Sequence, residues 1–178
     1  DMQINRPLII KAKADFLFKQ DKAKGLKLLE EAISTAKQFP PIKSLLEAEY
    51  QMQSMLNTSA PEIEATRWIN SAQIRLGNTK GKKILLYFWA PWCRSSMTAQ
   101  LRINQLYRTY RDRNVVVIGI TKLYGFKPNE KTEGTKLTAS EERQEIADQL
   151  RNRSITHPIA ISGQGQDFFN YKISHLPS

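Results

Sequence analysis

Cysteine is nearly absent from this chain: Cys93 is the only one in 178 residues. A single sulfur excludes an intramolecular disulfide. Histidine is almost as scarce. His157 and His175 lie on segments separate from Cys93, without ligand spacing, so no metal site and no cofactor is expected. The glycines never cluster into a phosphate-cradling loop. Long apolar runs are missing too, and nothing approaches the roughly 20 residues a membrane span needs. The opening Asp1-Met2-Gln3 leads into polar sequence with no signal-peptide pattern, so the N-terminus is expected to be a mature or trimmed one.

Acid is outnumbered by base, 17 residues against 27, for a net charge of +10. Residues 1–60 carry only +2 of this, so the excess lies beyond Pro61. Its bases, among them Lys80, Lys82, Lys83, Arg102, Arg108, Arg111 and Arg113, are scattered and not interleaved with aromatics. A solvated basic face is expected, the alternative being a surface for an anionic partner, and no nucleic-acid partner is expected.

What is present suffices for a packed core: 40% hydrophobic residues, with three Trp, seven Phe and six Tyr. Residues 1–59 read as a small all-helical segment. Apolar positions are dense from Pro7 to Gln20, and Asp21 is placed to cap a helix over Lys22 to Lys37. Phe39-Pro40-Pro41 ends that helix, and a third spans about Ile42 to Leu56. Asn57 to Pro61 is a turn-rich break. The segment is expected to be a packing element, or a surface for protein docking.

From Pro61 to Leu76 loosely alternating apolar residues predict a β-hairpin or two short edge strands. Lys82 to Met97 then carries the chemistry. Ile84 to Trp89 is a continuous apolar run too short for a helix, the pattern of a buried central strand. It empties through Ala90-Pro91-Trp92 into Cys93, and a helix over about Arg94 to Arg111 follows. A cysteine at a helix N-terminus meets unpaired N–H groups and the helix dipole, which favour its thiolate, and Arg94 adds positive charge nearby. Val115 to Ile120 is a second buried strand, which makes a βαβ unit with parallel strands. A long polar loop over Thr121 to Leu137 precedes a capping box, Thr138-Ala139-Ser140-Glu141, and a helix to about Asn152. Pro158 to Ile161 is a short strand, and the chain then turns at Gly163-Gln164-Gly165.

Phe88-Trp89-Ala90-Pro91-Trp92-Cys93 resembles the active-site entry of thioredoxin-fold proteins. The approach through Ala60-Pro61, the Lys80-Gly81-Lys82 turn, the strand ending Ile118-Gly119-Ile120 and the run from His157-Pro158 to Pro177 look like the TlpA/ResA branch. The resemblance covers residues 60–178 and implies an α/β thioredoxin-like domain, a central sheet flanked by helices. It implies an extracytoplasmic thiol–disulfide oxidoreductase, in the periplasm or cell envelope, acting on a protein or small-molecule disulfide or thiol. Cys93 matches the attacking cysteine, while Ser96 stands where the family has its resolving one. A serine cannot form the internal disulfide, so the chain is expected to halt at the mixed disulfide. The Ser96 hydroxyl is expected to be an ordinary first-turn group or a donor to the Cys93 thiolate. Leu176-Pro177 matches the family's cis-proline segment, and with Trp92 and Arg94 it is the expected substrate-binding surface. The hairpin and last helix that follow in the family are expected to be missing. Tyr87 stands where thioredoxin keeps a buried aspartate.

His175 is a candidate partner for Cys93, and His157 reads as a strand-entry residue. Two other functions are open. A one-cysteine peroxidase would share the fold, but its signature has proline and threonine where Leu86 and Ala90 stand. A thioredoxin-fold binding module would need no reactive thiol.

Overall fold

The computed structural model describes residues 2–127 and 135–178. The chain forms two compact units, Asp1–Ala60 and Pro61–Ser178.

The first unit is three helices, α1 (Met2–Phe18), α2 (Lys22–Thr35) and α3 (Pro40–Met55). Asp21 caps α2 by accepting from the Lys24 N–H at 3.1 Å. α2 ends at Thr35, ahead of the two prolines, which open α3, where a missing N–H costs nothing because first-turn donors are unpaired anyway. Ile10 and Ala14 of α1 meet Leu29 and Ala32 of α2 and Leu46 of α3 in a closed apolar core. Gly25 lets α2 approach the end of α1: a Cβ there would lie 2.4 Å from the Phe18 ring.

The second unit holds β1 (Ala65–Ile69), β2 (Lys83–Phe88), α4 (Arg94–Tyr110), β3 (Val115–Lys122), α5 (Ala139–Asn152), β4 (Ile159–Ser162) and α6 (Gln166–Asn170). The sheet order is β1-β4-β3-β2. β2 and β3 run parallel in register, Lys83 opposite Val115 through Phe88 opposite Ile120, as the two continuous apolar runs predict. β4 pairs parallel with β3, and β1 closes the other edge antiparallel. Alternation along β2 splits the core in two. Phe88 faces Ile118, Ile120 and Phe168, while Tyr87 and Trp89 face Met97, Ile146 and Leu150.

The hairpin expected over Pro61 to Leu76 does not form. Only β1 is a strand there, and its partner is β4, some ninety residues on. The alternation is real but belongs to a long-range pairing. Asn70, in the left-handed region at φ 66°, turns the chain out of β1. Its side-chain amide donates to the carbonyls of Ile155 and His157, which ties the turn to the approach of β4. The Glu62 carboxylate then accepts from the N–H groups of Leu76 and Gly77 and starts a 3₁₀ turn over Leu76–Thr79. The expected loop from Thr121 to Leu137 is shortened, since β3 runs to Lys122 and Phe126 bridges Lys136. Its centre, 128–134, lies outside the described residues. The capping box is formed in full: Glu141 N–H donates to the Thr138 hydroxyl, and the Glu141 carboxylate accepts from the Thr138 N–H. Among the described residues no helix is long and apolar enough to cross a membrane.

Candidate functional site

β2 delivers the chain to the site through a buried step, Trp89-Ala90-Pro91, after which Trp92 emerges 38% exposed. Cys93 is the N-cap of α4. Its N–H donates to the Ala90 carbonyl at 3.1 Å, and its own carbonyl accepts from Met97 at 3.0 Å, so both neighbours hold its backbone. The thiol is partly exposed, with Sγ 3.1 Å from the Ser95 hydroxyl. Burial pushes the thiol up, but hydrogen bonds from the Ser95 and Ser96 hydroxyls and from the backbone N–H groups of Ser96 and Ser95 outweigh it. The net effect holds Cys93 below the ordinary thiol range.

Ser96 is fully buried under the turn. Its hydroxyl accepts a long hydrogen bond, 3.5 Å, from the Ala90 N–H, and its carbonyl accepts from the Tyr87 hydroxyl at 2.7 Å. Burial pushes the Tyr87 phenol up to about 12, and the nearby Cys93 charge acts in the same direction. Tyr87 is therefore a hydrogen-bond donor under the turn.

Sequence reasoning overlooked Ser95, Tyr124, Glu142 and Arg153. Tyr124 follows β3 and packs edge-to-face against Trp92, centroids 5.6 Å apart. Burial raises its phenol, and the charges of Cys93 and Glu142 add to that. Glu142, fully buried on α5, accepts from the N–H groups of Tyr124 and Gly125 at 2.7 and 2.8 Å. It fixes the turn that carries Tyr124. Arg94 and Arg153 line one groove with Trp92, Met97 and Thr98. Nothing in the local sequence of Tyr124, Glu142 or Arg153 announces these contacts. Ser95 was legible, as the neighbour of the serine that was considered.

The Leu176–Pro177 bond is cis. Just after it Ser178 and Phe88 exchange N–H to carbonyl hydrogen bonds at 3.1 and 2.8 Å, the closely bonded pair of an antiparallel ladder. The proline segment therefore lies along the free edge of β2, where that strand enters the cysteine turn. His175 is exposed with Nδ1 3.2 Å from the Ser174 hydroxyl, and it makes no hydrogen bond to Cys93. His157, read from sequence as a strand-entry residue, does precede β4 but is fully buried beside Asn104. Burial holds its imidazole down at about 4. Gly119 makes room for it, since a Cβ there would lie 3.0 Å from His157 Nε2. Among the described residues, no three His, Cys, Asp or Glu side chains gather where a metal could be held.

A model of the AhpC/TSA family matches residues 56–157. The Mycobacterium bovis protein DipZ is 29% identical over 125 residues, covering 67% of this chain and 16% of DipZ. The thiol-disulfide oxidoreductase ResA of Bacillus thuringiensis is 24% identical over 123 residues, covering 69% of this chain and 61% of ResA. The chain thus spans a small part of DipZ and less than two thirds of ResA. Among solved structures, StoA from Bacillus subtilis superposes with a TM-score of 0.50 at 19% identity, covering 67% of this chain and 77% of StoA. A Chlorobium tepidum protein described as a thiol:disulfide interchange protein DsbE gives 0.50 at 18%, over 66% of this chain and 70% of that one. At these identities the structural likeness shows the fold, which is thioredoxin-like.

Proposed function

The chain belongs to the AhpC/TSA family, in its TlpA/ResA-like branch, and from that premise we propose that it attacks disulfides through Cys93 and halts at the mixed disulfide. The observation that carries this reading is the state of the thiol. It is partly exposed, held at the N-cap of α4 and kept below the ordinary thiol range by donors from Ser95 and Ser96.

In the proposed step the Cys93 thiolate attacks one sulfur of a disulfide. A Cys93–sulfur bond forms, the substrate S–S bond breaks, and the departing thiolate leaves with the electron pair. In a two-cysteine site the second sulfur would then displace the substrate. Ser96 has no sulfur to offer, so its hydroxyl supports the thiolate and the mixed disulfide waits for an external thiol. Trp92 and Arg94 on one side, with Leu176 and Pro177 along the β2 edge, form the surface over which the substrate lies. The TlpA/ResA likeness supports an extracytoplasmic setting, periplasm or cell envelope. The N-terminal helices serve as a packing element or a protein-docking surface.

Incubation with oxidised glutathione followed by intact mass tests the reading. One glutathionyl adduct per chain is expected, and none on the Cys93→Ser variant. An unmodified wild-type chain across neutral pH would overturn it.

A further inference from the structure

The groove beside Cys93 is lined by two guanidinium groups with no acidic partner. Arg94 lies in the first turn of α4, and Arg153 closes α5. Both are exposed, and among the described residues neither forms an ion pair, whereas Arg151 on the same helix end is paired with Asp148. Their proximity is built into the fold. Gln149, four residues before Arg153, donates to the Pro91 carbonyl at 3.2 Å, which holds the end of α5 against the turn that presents Trp92 and Cys93. Met97 is buried at the groove floor, Trp92 forms an apolar wall, and the volume is about 350 Å³. That volume is at the small end of ligand sites.

Resting on the reading of Cys93 as the attacking nucleophile, we propose that this groove selects disulfides of low molecular weight that carry a carboxylate close to the sulfur. Arginine suits that group because its planar fork matches a carboxylate with two parallel N–H donors. The Cys93 thiolate displaces one sulfur, the S–S bond breaks, and the leaving thiolate departs with the electron pair. The half retained on Cys93 keeps its carboxylate against Arg94 and Arg153, with its carbon skeleton on Trp92.

The test follows the rate of Cys93 adduct formation with dithiodiglycolate, which is anionic, bis(2-hydroxyethyl) disulfide, which is neutral, and cystamine, which is cationic. Intrinsic exchange rates differ among the three, so the quantity compared between variants is the ratio of anionic to neutral rates. This ratio also cancels any change in the thiol itself. At low salt Arg153→Gln and Arg94→Gln are each expected to lower the ratio roughly three- to fivefold, as for an exposed ion pair. Both should raise the ratio of cystamine to neutral rates, and added salt should shrink the differences. Arg113→Gln, beyond the far end of α4 and stacked over the Tyr110 ring outside the groove lining, is expected to leave the ratio unchanged. An unchanged ratio in the two groove variants, or an equal fall in Arg113→Gln, would overturn the proposal, the latter by assigning the effect to the overall charge. No adduct with any of the three disulfides would overturn the underlying reading of Cys93 instead.

Discussion

At the scale of single residues, the thiol is tuned by short side chains of its own helix. The Ser95 hydroxyl, 3.1 Å from Sγ, is the nearest of them. Its removal in Ser95→Ala should raise the Cys93 pKa, so alkylation at neutral pH slows while the rate at high pH is kept. A pH–rate profile for iodoacetamide whose midpoint stays in place would contradict this. His157 supplies a second prediction. Folding buries it neutral, with a value near 4 instead of 6.5, so below about pH 6.5 the unfolded chain binds the extra proton. Stability should therefore fall as pH drops from about 6.5 towards 4, by about 3 kcal/mol in full. Urea midpoints should show this loss, and His157→Gln should show a flatter pH dependence than the parent. The place of Cys93 at the N-cap of α4 was legible because a cysteine at a strand–helix junction has a local signature. The burial of His157 was not, because it depends on Asn104 and on the missing side chain of Gly119, both distant in sequence.

At the scale of elements, the site rests on one strand–turn–helix and on a clamp from elsewhere. β2, α4 and β3 were readable because continuous apolar runs flanking an amphipathic stretch have few other solutions. Of the hairpin or two short edge strands expected before Leu76, one edge strand, β1, forms, and local alternation does not say which strand it pairs with. The clamp was hidden in a polar stretch. Tyr124 acquires its role only once α5 brings Glu142 against its backbone and β2 brings Trp92 against its ring. Glu142→Ala leaves two N–H groups without their acceptor and should cost about 2–5 kcal/mol, the range for removing a buried hydrogen-bonded charge together with its packing. Hydrogen exchange should speed at the Tyr124 and Gly125 amides before it does in β3. Equal protection in parent and variant would show that the turn holds without the carboxylate.

At the scale of the whole molecule, two compact units share one chain, and the family model matches residues 56–157, almost wholly within the second unit. The fold of that unit was legible from ordered landmarks: the aromatic entry to Cys93, the parallel β2–β3 unit and the late proline. The helical unit gave up its helices through caps and prolines, but its sequence carries no chemistry from which a role could be read. Under the proposed reaction cycle, Cys93 opens a disulfide and the chain does not close the cycle by itself. The most direct measurement is time-resolved intact mass after adding a disulfide without any other thiol, for the parent and for Ser96→Cys. The account predicts a persistent adduct at Cys93 in the parent. In the variant it predicts a transient adduct, followed by an unadducted chain lighter by two hydrogens. An adduct that decays in the parent, or one that persists equally in Ser96→Cys, would contradict it.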